Sequence, residues 1–306
     1  MRRKLFELFG EYGLGEEKPQ RRPILGSDLI VSGFLHSEIL GCKVRYSDEY
    51  PPEVICKNLD DAGVRSLQSP CFDLSLPWRK LQSQVDKLMS EFGYVLPCVN
   101  LMGIQNIALD IRGQQLFLDY FENPEIARKL LDVCQEVTLD IGQRLKSLSG
   151  NLSAGVSSIT TKTVPDVYLT SNCTIEMVSC QIYEDFFLPC DKQLAELFQP
   201  FGIHHCGQTM EHVADGYVEV GNLLFCEVGA FSDIAAIRQR MPDIHLNARY
   251  SPVRLASADK DEMKRELEAL TKAGQPSRLS SISCVSIDST VSDDHVRNFL
   301  AACSGL

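Results

Sequence analysis

Two histidines and a cysteine stand together in the sequence FGIHHCGQTM, residues 201–210. His204 and Cys206 are two positions apart, and side chains at this spacing in a β-strand point to the same face, whereas His205 points to the opposite face. A second cysteine, Cys284, ends the later apolar run SISC. One imidazole and two thiolates would form the three-ligand set of an open zinc site, whose fourth position can take water or substrate. The residue types alone leave a second interpretation open, because cysteine and histidine at a strand end also serve as ordinary packing.

Strands would have to position these residues, and the sequence from residue 95 onward predicts them. Short apolar runs alternate with helical patterns in at least five consecutive units, an order that implies parallel strands covered by helices. No G-x-G-x-x-G turn follows a strand, so the nucleotide-binding signature of an open sheet is missing. We therefore expect an α/β fold, a (β/α)8 TIM-type barrel, as a single domain over residues 1–306 with an irregular N-terminal region. Residues 1–22 are expected to form an N-terminal helix and a linker. Catalytic residues of such barrels collect where strands end and helices begin.

Several residues mark where the predicted helices begin. Ser179, Ser232, Asp259 and Ser292 each precede a helical pattern, and their side chains can accept hydrogen bonds from the first turn. Short apolar runs of strand length precede these capped helical patterns.

The composition excludes several classes of function. The formal net charge is −11 and we find no basic stripe, so nucleic acid is not expected as a partner. No run of about 18 apolar residues is present, so no membrane span is expected. The 12 cysteines are scattered through a long chain. That distribution favours reduced thiols in a cytoplasmic protein over a disulfide framework.

Residues 95–303 resemble the uroporphyrinogen decarboxylase superfamily. The resemblance lies in IHHCG, in a following strand that ends with an acid, and in SDIAAIRQRMPDIHLN and DDHVRNFLAAC. Two helical segments, GQQLFLDYFENPEIARKLLD and CQIYEDFFLPCDKQLAELF, add to it. A His-x-Cys pair followed by a distant cysteine is similar to the zinc-dependent methyltransferase branch that works with corrinoid proteins. His204, Cys206 and Cys284 match that pattern one by one.

The resemblance implies a specific activity. We expect an enzyme that moves a methyl group between a corrinoid (cobalamin) and a small thiol or methoxylated compound, with zinc as a cofactor, in one-carbon metabolism. No H-x-x-G motif for corrinoid is found apart from HHCG, which already carries the candidate ligands. We therefore expect the corrinoid to arrive on a separate partner protein.

Five further residues are candidates for the site. Glu227 ends the strand after His204 and is a candidate catalytic residue, a weak fourth ligand that substrate displaces, although a capping or surface acid would look the same. Asn172 and Cys173 in TSNCTIE are candidates for the substrate pocket, with a core cysteine as the alternative. Asn247 and Arg249 in IHLNARY could hold a substrate carboxylate or oxygen, with an ordinary salt bridge as the alternative.

Two other functions compete with methyl transfer. A uroporphyrinogen-type decarboxylase would need paired arginines to clamp the acidic side chains of a tetrapyrrole. The arginine-bearing N-terminal segment of that branch is missing, and a charged linker accounts for Arg21 and Arg22. A non-catalytic protein that binds zinc or a corrinoid partner is the other alternative. Zinc content separates the decarboxylase from the other two.

Overall fold

The chain forms two compact units in the computed structural model, which describes residues 1–25, 34–49, 52–97, 99–150, 152, 163–164 and 166–305. The larger unit comprises Pro23–Gly207 and His212–Phe225. The smaller unit comprises Met1–Arg22, Gln208–Glu211 and Cys226–Leu306. The predicted N-terminal helix is present as α1, Arg2–Phe9. The expectation of a single domain stays a prediction.

Parallel strands form the centre of the larger unit. In its sheet, β5, β6 and β7 are neighbours and run parallel, with Leu101 opposite Thr170 and Thr170 opposite Ile203. Separately, β1 pairs with β4 in parallel, and β2 with β3 in antiparallel orientation. The strands are β1 (Ile24–Leu25), β2 (Lys43–Arg45), β3 (Glu53–Ile55), β4 (Leu96–Pro97), β5 (Leu101–Met102), β6 (Tyr168–Ser171), β7 (Phe201–His204) and β8 (Leu223–Val228), which continues into the smaller unit from Cys226 onward.

Helices follow the strands of the larger unit and bury their apolar faces. The longest, α7, begins after Asn123 with Pro124 in its first turn and ends at Gly150, whose φ of 77° suits glycine. Between α8 and α9 lies a π-helical turn, Tyr183–Phe187. The helices are α2 (Leu35–Ile39), α3 (Asp61–Ser66), α4 (Leu76–Phe92), α5 (Ile104–Arg112), α6 (Gln115–Glu122), α7 (Pro124–Ser149), α8 (Cys180–Ile182), α9 (Leu188–Leu197) and α10 (Ala214–Val218).

The smaller unit pairs β9 (His245–Arg249) with β10 (Ser280–Ser283) in parallel. Its core contains Tyr250, Leu255, Ala258, Met263, Leu267 and Phe299. Its remaining helices are α11 (Ile234–Arg240), α12 (Pro252–Ser257), α13 (Lys260–Ala273) and α14 (Asp293–Ser304). The α/β class with parallel strands is thus confirmed, whereas closure into an eight-stranded barrel stays a prediction. None of the described helices is both long and apolar enough to span a bilayer.

Three of the four predicted N-caps are confirmed. The side chains of Ser179, Asp259 and Ser292 accept hydrogen bonds from the first turns of their helices, and Asp259 forms a full capping box. The prediction for Ser232 is wrong by one residue, because the Asp233 carboxylate accepts from the amide of Ala236. The Ser232 hydroxyl is already engaged, since it accepts a hydrogen bond from the main-chain N–H of Met210 at 3.2 Å.

Candidate metal centre

The register of two parallel strands places three soft donors together. Ser171 ends β6 and lies opposite His204, which ends β7, and two residues beyond each strand end the chain reaches a cysteine, Cys173 and Cys206. The donor atoms of Cys173, His204 and Cys206 all lie within 4.8 Å of one another. All three belong to the larger unit, at the carboxyl ends of its strands. The structure thus brings His204 and Cys206 together, and their role as metal ligands stays a prediction.

Main-chain hydrogen bonds hold the two strand ends in this register. The N–H of Asn172 donates to the carbonyl oxygen of His204 at 2.8 Å, and the N–H of Gly103 donates to the carbonyl of Ser171 at 3.0 Å. A Cβ atom at Gly103 would lie 2.6 Å from that carbonyl oxygen and 2.5 Å from Oδ1 of Asn172. Only glycine allows this close approach of β5 to the end of β6.

Asn106, on the first turn of α5, secures the turn that carries Cys173. Its Nδ2 donates to the carbonyl of Ser171 at 2.9 Å, and its Oδ1 accepts from the N–H of Thr174 at 3.1 Å. The Asn106 side chain also hydrogen-bonds the Cys173 thiol, a contact that favours the thiolate. Asn106 is itself buried, so these bonds are shielded from competing water.

Cys206 affects the ionisation of Cys173. A hydrogen bond with the Cys206 side chain raises the pKa of the Cys173 thiol, and burial and the charge of Cys206 raise it further. Two neighbouring thiols resist becoming two neighbouring thiolates, because like charges at short range repel. A divalent cation between the sulfurs would remove this obstacle, since it compensates both negative charges.

The donor set fits zinc. Zinc binds cysteine sulfur at about 2.3 Å and histidine nitrogen at about 2.0 Å in tetrahedral geometry, which separates neighbouring donors by about 3.5–3.8 Å. The observed limit of 4.8 Å lies within about 1 Å of that spacing. Thiolate and imidazole together select zinc over magnesium or calcium. His204 is 4% exposed, whereas Cys173 is partly buried and Cys206 lies on the solvent-facing side.

The neighbouring histidine has a different role. The Nδ1 atom of His205 lies 2.8 Å from the hydroxyl of Tyr217, and both side chains are fully buried. This position agrees with the prediction that His205 faces away from its two neighbours. The contact with Tyr217 also helps to hold the main chain between His204 and Cys206.

Asn172 and Cys173, both predicted for the substrate pocket, have different surroundings. The side chain of Asn172 is buried, 3% exposed, and its Nδ2 donates to Oδ2 of Asp191 at 2.8 Å. Cys173 joins the donor cluster, a role that the sequence analysis did not assign to it. The sequence does hold a signal for this role, because Cys173 and Cys206 each lie two residues beyond a predicted strand. Recognising it requires the pairing of those two strands, which the sequence alone does not give.

The candidate residues of the smaller unit are engaged with one another. Nε of Arg249 lies 3.5 Å from Oε1 of the buried Glu227. Nδ2 of Asn247 donates to the Ser283 hydroxyl at 2.9 Å, and its Oδ1 accepts from the Ser281 hydroxyl at 3.0 Å. The roles predicted for Glu227 in catalysis and for Asn247 and Arg249 in substrate binding stay predictions.

Cys284, the third metal ligand in the sequence-based prediction, follows β10 in the smaller unit. It packs against the apolar cluster that contains Leu255 and Phe299. Burial raises the pKa of its thiol to about 11, although the charge of Arg249 opposes the shift. Its assignment as a ligand stays a prediction.

No known family model matches this sequence, and no curated protein does either. A solved structure, a methyltransferase from Methanosarcina mazei, is similar to it with a TM-score of 0.66 and 15% sequence identity. The similarity covers 98% of this chain and 82% of the other. At this identity, what the two chains share is the fold.

Proposed function

We propose that this protein is a zinc-dependent methyltransferase that moves a methyl group between a corrinoid carried by a separate protein and a small thiol or methoxylated compound. The observation that carries the proposal is the convergence of the Cys173, His204 and Cys206 donors within 4.8 Å. Methyl transfer as the reaction class is supported by the fold shared with a methyltransferase. A cytoplasmic location, where thiols stay reduced, suits the donor set.

In the proposed site, the residues around the cation would have separate tasks. His204 and Cys206 are on one strand end, held by the bond from Asn172 to the His204 carbonyl. Cys173 is on the neighbouring strand end and is held by Asn106. Zinc bound by these three side chains would have one position left for substrate, where it lowers the pKa of a thiol or polarises the oxygen of a methoxy group.

The third ligand, which is the second thiolate, has two candidates, and metal analysis separates them. Cys173 is the cysteine that the structure brings to His204 and Cys206, and Cys284 is the one that the sequence resemblance implies. We propose Cys173 as this ligand because of its position. Cys284, which the sequence resemblance implies, is kept as the alternative. Each is tested by its own Cys→Ser variant. Cys71→Ser is the matched control, because Cys71 is an exposed cysteine of the larger unit.

The experiment has two stages. Purified protein should hold about one zinc per chain, and His204→Ala and Cys206→Ser should lose it, because two remaining ligands hold zinc poorly. The protein is then mixed with methylcobalamin and a panel of thiols, or with cobalt(I) cobalamin and methoxy compounds, and the cobalt absorbance is followed. If the protein binds zinc but transfers no methyl group, the alternative of a non-catalytic zinc-binding protein replaces the proposal. A metal-free protein with intact His204 and Cys206 would overturn the proposal entirely.

A further inference from the structure

A buried carboxylate lies behind the donor cluster, on α9. Asp191 is 2% exposed, and its Oδ2 accepts hydrogen bonds from the Tyr183 hydroxyl and from Nδ2 of Asn172, both at 2.8 Å. Burial raises the pKa of this carboxyl to about 6, although the two hydrogen bonds oppose the shift. A carboxylate in such a place is costly, and a well-packed apolar side chain would serve stability as well or better.

Asn172 connects this carboxylate to both donor-bearing strand ends. Its side chain binds Asp191, its main-chain N–H binds the carbonyl of His204, and its peptide bond leads directly into Cys173. Its Oδ1 lies so near Gly103 that a Cβ there would approach it to 2.5 Å. The Asn172 side chain is therefore fixed on one side by packing and on the other by Asp191.

Tyr183 connects the carboxylate to the segment between His204 and Cys206. Its ring packs edge-on against Tyr217, with centroids 5.0 Å apart, and the Tyr217 hydroxyl contacts His205. Tyr183 also begins the π-helical turn. Such turns insert one residue into a helix and recur at functional sites.

We infer that Asp191 is a positioning residue for the metal centre, which holds Asn172 and Tyr183 so that Cys173, His204 and Cys206 keep the spacing needed for a cation. The inference rests on the proposed metal site. Asp191 acts through the two residues it binds, Asn172 and Tyr183. Groups that orient metal ligands in this way typically change metal affinity by about 10- to 100-fold when they are removed.

The test uses cobalt(II) as a spectroscopic substitute for zinc. Affinity is measured by titration of metal-free protein, and the sulfur-to-cobalt absorption reports how many thiolates bind. Asp191→Leu should weaken binding by about 10- to 100-fold and alter the absorption. Asp191→Asn should restore most of the affinity, since an amide oxygen can accept the same two hydrogen bonds.

Two further variants keep the inference testable if Asp191→Leu fails to fold. Tyr183→Phe removes one of the two donors to Asp191 and should weaken cobalt binding. Tyr168→Phe is its matched control, because the Tyr168 hydroxyl is buried without a hydrogen-bond partner in the described part of the chain. It should bind cobalt within about twofold of wild type, because it deletes no contact in the network that reaches the donors.

The outcomes separate this inference from the proposed function. Wild-type affinity in folded Asp191→Leu, or equal losses in Tyr183→Phe and Tyr168→Phe, would overturn the positioning role while leaving the metal site in place. Failure of the wild-type protein to bind cobalt or zinc would overturn the proposed function, and the positioning role with it.

Discussion

The number of protons released on zinc binding should equal the number of cysteines that become ligands. An ordinary thiol has a pKa of about 8.5 and must lose its proton before it binds the metal. The structure brings two thiols, Cys173 and Cys206, to His204. Binding at pH 7 should therefore release about two protons, and the affinity should rise about 100-fold for each unit of pH increase near neutrality. This slope corresponds to about 2.7 kcal/mol per pH unit, at about 1.36 kcal/mol for each proton.

Cysteine variants turn this slope into a count of ligands. Cys173→Ser should release about one proton fewer, so that its affinity changes only about 10-fold per pH unit. Cys284→Ser should lower the count only if Cys284 is also a ligand. Cys71→Ser should match the wild type, because that cysteine lies outside the cluster.

Two measurements give the count independently. Competition with a chromogenic chelator between pH 7 and 8, where an ordinary imidazole is mostly neutral and adds little to the proton count, gives the slope. Calorimetry in buffers of different ionisation enthalpy gives the protons directly. An unchanged proton count in Cys173→Ser, together with an unchanged zinc affinity, would refute the assignment of Cys173. Loss of one proton in Cys284→Ser but not in Cys173→Ser would transfer the role to Cys284.

Three other changes test the fold. His36 is fully buried, and burial lowers its pKa from 6.5 to about 3. As the pH falls below 6.5, the unfolded chain therefore binds a proton at His36 before the folded chain does, and the free energy of unfolding decreases. Urea unfolding with a chelator present should show the wild type losing about 2 kcal/mol more than His36→Leu between pH 7.5 and pH 5, and parallel losses would contradict this. Gly103→Ala should cost about 1–3 kcal/mol and weaken metal binding, because its Cβ would clash with Ser171 and Asn172; an unchanged denaturation midpoint and zinc affinity would disprove the close packing. Asp259→Ala should cost about 1 kcal/mol by removing a capping box, with Asp259→Asn nearly neutral in the same thermal unfolding assay; equal melting temperatures for the two variants would show that the cap contributes nothing.

Local patterns in the sequence were enough to place the strand ends and most helix starts. The run that contains GIH became β7, and the caps at Ser179, Asp259 and Ser292 formed as predicted. Each of these features is decided within a few residues by alternation or by one side-chain hydrogen bond. The cap at Ser232 was misplaced because a distant partner, Met210, takes its hydroxyl.

Long-range pairing decides the parts that the sequence did not reveal. Cys173 joins the donors only because Ser171 lies opposite His204, and no local pattern specifies that register. The contacts of Asp191 with Tyr183 and Asn172 depend on how α9 and the π-helical turn pack, which a helical periodicity cannot predict. The position of Cys284 relative to these donors remains a prediction of the sequence resemblance.

Cys173 and Cys206 each lie two residues beyond the end of neighbouring strands. This equal spacing limits which insertions and deletions the protein can tolerate over evolutionary time. Deleting a single residue from β6 would turn one sulfur to the other side of the sheet. The lengths of these two short segments must therefore stay constant.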